Sequence, residues 1–209
     1  MRAMQRLPPT AVRELAEFRV LKRLDSPRKV QDFLDTVPIN FERGGETCMS
    51  PLRTLRRNRA HCMEGALLAA LALWMHGRPP LIMDLKTSDD DVDHLVAIFK
   101  VGRHWGGITK TNHAVLRYRE PVYRDLRELA MSFFHEYFLD SGKKTLRAYS
   151  EPFDLRECDA GWMTSPDDLW ELETAIDESR HWSILNRSRI AALRRADAIE
   201  VRAGKLTEW

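Results

Sequence analysis

A chain of 209 residues, 44% hydrophobic and 31% charged, carries enough apolar material for one large domain and too much for a disordered chain. Its 33 basic and 31 acidic side chains nearly balance at a formal +2, so net charge points to neither a nucleic acid nor an anionic membrane as partner. Three cysteines at irregular positions (48, 62 and 158) do not make a disulfide framework, and the longest apolar stretch, Ala66 to Met75, falls far short of a membrane span.

The opening MRAMQRLPPTAVRELAEF has charges within it and no apolar centre of a secretory signal, so a reducing cytoplasm is the expected setting. Thr10 is placed to cap a helix carrying Val12, Leu15, Phe18 and Leu21. Ser26–Pro27 starts a second, with Val30, Phe33 and Leu34 on one face. After the loop-like INFERGGETCMSP, Ser50 caps a short helix over PLRTLRR. Next comes AHCMEGALLAALALWMHG, a long apolar helix with Asn58 as the expected N-cap and Gly77 and Pro79 as its stop.

Beyond it the period changes to two. PLIMDL (80–85) reads as a short strand, HLVAIFK (94–100) alternates, and WGGITKTN (105–112) returns as its hairpin partner around Gly102. RDLRELAMSFFHEYF (124–138) reads as an amphipathic helix with Leu126, Leu129, Phe133, Phe134 and Tyr137 inward. Ser165, Pro166 and Asp168 are expected to cap a helix through Trp170, Leu172 and Ile176. A last helical segment around Ile190–Arg195 precedes AIEVRAGKLTEW, drawn as a terminal hairpin turning at Gly204. No repeat, low-complexity linker or strong boundary divides the chain, so 1–209 is expected to be one domain, with 1–40 a helical extension and 57–123 its core.

The chemistry centres on Cys62. At the start of a helix the backbone dipoles present roughly half a positive charge and favour a thiolate. Gly65, Ala66, Ala69, Ala70 and Ala72 behind it are small and let the helix approach a sheet closely. A thiolate nucleophile needs an imidazole, and the imidazole needs an orienting group. His94 opens a strand. A three-residue hairpin turn sets Asn112 opposite it, whereas an even turn sets Thr111 there. Asn112 is the better orienter, because its amide oxygen accepts from the ring. Asp84, on the preceding strand, competes.

A helix-start Cys, then a His and an Asn or Asp on consecutive strands, resembles the transglutaminase-like superfamily of the papain-like cysteine peptidase fold. The likeness is carried by AHCMEGALLAALAL, DHLVAIF and WGGITKTNHAVLRYREPVY. It implies an α+β fold in which a central Cys-bearing helix lies on a small antiparallel sheet, with extra helices at both ends. It further implies a Cys62–His94–Asn112 triad and acyl transfer on a peptide or other amide-bearing substrate, as peptidase, amidase or transglutaminase, with no cofactor. Arg56 stands six residues before Cys62, where the papain type has a glutamine.

Plainer readings stand beside this one. Cys62 alone is a small core residue, and the fold can serve as an inactive binding module. His61 reads as a capping or surface residue, since Cys48, His61 and Cys62 lack paired CxxC spacing for a metal. DDDVD departs from a calcium loop at its Gly and final Glu positions, leaving a solvated acidic loop beside His94. The arginines of LRTLRRNR form a solvated helix face, or a site for phosphate, an acidic substrate or nucleic acid. Cys158 has no partner motif.

Overall fold

The structure, a computed structural model, describes residues 7–208. Its first surprise is that the continuous helix drawn from Thr10 is broken. Pro9 rather than Thr10 holds the cap position of a one-turn helix, α1 (Thr10–Arg13), and two 3₁₀ turns follow at Glu17–Arg19 and Leu21–Arg23. The spacing explains it. Val12, Leu15, Phe18, Leu21 and Leu24 recur every three residues, the repeat of a 3₁₀ helix rather than an α-helix. Phe18 and Leu21 are fully buried all the same.

α2 (Pro27–Thr36) and α3 (Pro51–Arg57) form as expected, each with proline in the first turn and a serine hydroxyl accepting from a backbone N–H. Asn58 does not cap the next helix. It closes α3 in the left-handed conformation at φ 49°, a region asparagine tolerates, and three more residues pass before α4 (Cys62–Met75) begins. Every α4 residue from Met63 to Trp74 is buried. The helix is apolar all round because α2 and α3 lie on one side of it and the sheet on the other.

The sheet is antiparallel throughout. It comprises β1 (Leu81–Lys86), β2 (His94–Val101), β3 (His104–Ile108), β4 (Arg119–Tyr123), β5 (Ala148–Ser150), β6 (Phe153–Asp154) and β7 (His181–Ser183), in the order β4-β3-β2-β1-β5-β7. β6 shares the outer edge of β1 with β5, pairing at Leu81–Ile82 while β5 pairs at Leu85–Lys86. Alternation divides the core. Ile82, Leu95, Ala97, Phe99 and Ile108 join the cluster around α4, whereas Met83, Leu85, Val96 and Ile98 join the one around α5 (Leu126–Met131).

The β2–β3 turn holds two residues, Gly102 and Arg103, with Gly102 at φ 59°. Lys100 therefore faces Trp105, the even register, and the ladder stops at Ala97–Ile108. No β3 residue lies opposite His94.

Three later elements also differ from expectation. α5 is shorter than 124–138 and ends at Met131, where the Ser132 hydroxyl donates to the Leu129 carbonyl (2.6 Å) and Arg119 binds the Ser132 hydroxyl and carbonyl oxygens. Phe133, Phe134 and Tyr137 are buried from the turns beyond it. α6 (Trp170–Asp177) has no side-chain cap. Ser165 is used within its own turn, and the Asp168 carboxylate accepts from Cys48 N–H (2.9 Å) and Arg53 (2.8 Å) instead. After α7 (Arg187–Ala191), the expected terminal hairpin is α8 (Ala198–Gly204), which opens on a capping box of Asp197 and Glu200.

Close approach at Gly65 fixes α4 against the strand end. A Cβ there would sit 2.4 Å from the Lys110 Cβ. Lys110 is not free to swing away, because its buried ammonium donates to the Leu34 and Val37 carbonyls at the end of α2. Gly65→Ala should therefore destabilise the protein by about 1–3 kcal/mol, as overpacking does, read as a lower midpoint in urea at unchanged slope. A wild-type midpoint would show that this contact is slack.

Candidate active site

Cys62 is the first residue of α4, and the residues around it are tied down by one buried acid. Glu64, fully buried, accepts from Asn40 Nδ2 (3.0 Å), Thr47 Oγ1 (2.8 Å), Met49 N–H (3.1 Å) and His61 N–H (3.0 Å). The last bond is half of a capping box. His61 stands at the N-cap, and its Nδ1 accepts from Met63 N–H at 3.3 Å. His61 Nε2–H donates to the Thr47 carbonyl at 2.8 Å, so the ring is clamped from both sides.

Two imidazoles act on the thiol. Burial would raise its pKa, but hydrogen bonding from His61 and then His94, with their charges, brings it down to about 5. His61 moves the other way. Against the opposing effect of burial, the Cys62 thiolate and Glu64 lift it to about 9. Thiolate and imidazolium therefore coexist across neutral pH. Neutral His61 uses Nδ1 as the helix cap. As imidazolium it carries a proton there, gives up the long Met63 bond, and has that proton available for the thiolate.

His94, buried at the start of β2, helps lower the Cys62 thiol, and its Nε2 has no hydrogen-bond partner among the described residues. The other cysteines behave differently. Cys48 is buried and its thiol pushed up to about 12, chiefly by desolvation, and burial also raises Cys158.

A cavity of about 310 Å³ opens beside Cys62. His61, Cys62, Met63, Asp84 and Leu95 line one side, and Trp170, Glu173, Ile176 and Asp177 of α6 the other. Glu42, Glu46 and Asp93 complete an acidic rim. α6 is held over the cavity by the Asp168 bonds to Cys48 and Arg53 and by Leu169 N–H to the Cys48 carbonyl (2.8 Å). Carboxylate oxygens of Asp84, Asp93 and Asp177 lie within 4.8 Å of one another. The Lys86 ammonium is ion-paired to Asp177 and stands 3.6 Å from Asp93.

His61, which the sequence suggested only as a cap or surface residue, lines the cavity with Cys62, and the Cys62 thiol responds to both His61 and His94. Asn112 does not share this cavity. It lines a separate one with Asp35, Lys110, Thr111 and Glu208. Asp84 does line the Cys62 cavity, but its Oδ2 accepts from His181 Nε2 (3.0 Å). Burial and Asp93 raise Asp84 to about 6, against the opposing effect of His181. The arginines are partly engaged, Arg53 with Asp168 and Arg56 with Glu17. The acidic run is bound locally too, Asp90 to Lys143 and Asp93 to Thr87.

No protein-family model matches the chain, and a search of curated proteins finds no match. Among the described residues, no helix is long and apolar enough to cross a membrane.

Two measurements probe this assembly. Glu64→Ala leaves several buried donors without an acceptor and should cost about 3–5 kcal/mol of stability, against about 1–3 kcal/mol for Glu64→Gln, by chemical denaturation. The alkylation rate of Cys62 should be half-maximal near pH 5. It should be lost below that pH as the thiolate protonates, and stay flat from about pH 6 to 8. A rate still climbing toward pH 9 would mean an ordinary thiol.

Proposed function

We propose that the chain is a cysteine-dependent acyl-transfer enzyme that cleaves an amide through a thioester on Cys62, in the manner of the transglutaminase-like, papain-type enzymes that its sequence resembles. The observation that carries this reading is the thiol at the start of α4, drawn to a pKa of about 5 by His61 and His94. A core cysteine gains nothing from that arrangement, and Cys48 is the comparison.

The Cys62 thiolate attacks the carbonyl carbon and forms an S–C bond. The carbonyl oxygen takes up the negative charge near Cys62 N–H, which has no acceptor among the described residues and stands at the positive end of the helix. The proton that left the thiol passes by way of His94 to the departing nitrogen, the C–N bond breaks, and a free amine leaves. Water or an acceptor amine then attacks the thioester and loses a proton to His94. The S–C bond breaks, returning the thiolate and a carboxylic acid or a new amide. His94 is the better proton carrier, because its Nε2 has no partner among the described residues. His61, held by the Thr47 carbonyl, keeps the thiolate charged.

Limiting iodoacetamide at neutral pH should modify Cys62 well before Cys48 or Cys158. A mixed peptide pool quenched in acid should leave an acyl adduct on Cys62, visible by mass, that Cys62→Ala abolishes. His94→Ala should lower turnover by about 10²–10⁴ while the protein still folds. Equal labelling of the three cysteines in the folded protein, or turnover that survives Cys62→Ala, would remove this function.

A further inference from the structure

The cavity beside Cys62 carries more negative charge than its chemistry needs. Six carboxylates line it, from Glu42, Glu46, Asp84, Asp93, Glu173 and Asp177, and His61 is the one basic side chain among the lining residues. Some of these acids are neutralised. Asp93 and Asp177 share the Lys86 ammonium, and Glu42 accepts from Thr47 N–H and stands 3.8 Å from His61. The others are not. Glu46 and Glu173 have no side-chain hydrogen bond or ion pair among the described residues. Burial, together with the negative charge of Cys62, Glu46 and Glu42, holds the Glu173 carboxyl above its ordinary range.

Asp84 is a separate indication of a ligand. It is 2% exposed, it lines the cavity, and its Oδ1 has no partner among the described residues while Oδ2 is taken by His181. A buried carboxylate oxygen without a donor is expensive, and a donor arriving with a substrate relieves it. Lys86 shows what these acids accept, since an ammonium of this chain already rests between two of them. Beside it, the apolar surface of Trp170, Ile176 and Leu95 suits the methylene stem of a long basic side chain.

We propose that this cavity selects amide substrates that carry a positive charge near the scissile bond, a lysine-like ammonium or an arginine-like guanidinium, with Glu46, Glu173 and Asp84 as its partners. The proposal rests on Cys62 being the nucleophile. Anionic substrates are excluded by the same charges.

Cys62 itself reports the preference. Three methanethiosulfonate reagents, one cationic (aminoethyl), one neutral (methyl) and one anionic (sulfonatoethyl), form a mixed disulfide with a thiolate and release methanesulfinate. Each rate on Cys62 is divided by the same reagent's rate on glutathione, which removes intrinsic reactivity. The corrected cationic rate should exceed the anionic one by at least about tenfold at low salt, as a cleft of one charge sign concentrates its counter-charge. The ratio should shrink as salt is added. The double variant Glu46→Gln, Glu173→Gln should reduce it about threefold or more. A corrected ratio near one, or one unmoved by the double variant, overturns the cation preference while the neutral reagent still shows a reactive Cys62. A Cys62 that is inert to the neutral reagent overturns the nucleophile, and this proposal with it.

Discussion

A buried carboxylate survives only if its oxygens are occupied, and Glu64 meets that condition through backbone and side-chain donors from two separate stretches of chain. Asn40, Thr47 and Met49 come from the loop before α3, and His61 from the approach to α4. The acid therefore ties the loop to the helix start. Thr47 is the hinge of the arrangement, because its hydroxyl binds Glu64 and its carbonyl receives His61 Nε2–H. Without Glu64 neither the cap nor the ring has a fixed place, and Cys62 has no defined surroundings.

That placement decides the ionisation of the thiol. A helix end is worth up to about 2 kcal/mol to an anion, roughly one and a half pKa units. It cannot by itself take a thiol from 9 to about 5 while burial works against it. The two imidazoles must supply most of the change. Cys48 gives the measure of what they overcome: the same side chain, buried without an imidazole and near acidic groups, is pushed up to about 12. Two cysteines on one chain thus differ by what stands beside them and not by burial alone.

Periodicity made much of the fold legible. The apolar run behind Cys62, the strand at PLIMDL and the alternation after His94 each appear close to where the pattern puts them. The failures have local causes. A strict three-residue spacing was read as α-helix where 3₁₀ turns form, and Asn58 was given to the wrong helix because asparagine suits both ends. The short strands β5, β6 and β7 leave no mark in the sequence, since two or three residues carry no period. At the site, Cys62 opens α4 and His94 opens β2, as residue type and pattern place them. Asn112 depended on turn length and on the reach of β3, and both are set by tertiary pairing. His61 was in plain view as the first letter of HCME, a capping box with histidine where serine or threonine usually stands. The acidic wall was hidden because Glu42, Glu46 and Glu173 meet only after α6 closes over the cavity.

The acidic wall and the thiolate are in tension. Negative groups around a nucleophilic anion oppose its formation, and the tension appears on both sides: Cys62 contributes to the raised Glu173 carboxyl, and Cys62 needs two imidazoles to ionise. A site built only to activate a thiol would leave those carboxylates out, as helix start and imidazoles suffice. Their presence makes sense when a further positive charge joins the cavity during turnover. A cation bound there relieves the repulsion among the acids and from the thiolate at once, so the occupied cavity favours the reactive form more than the empty one. Binding and activation are then one electrostatic event.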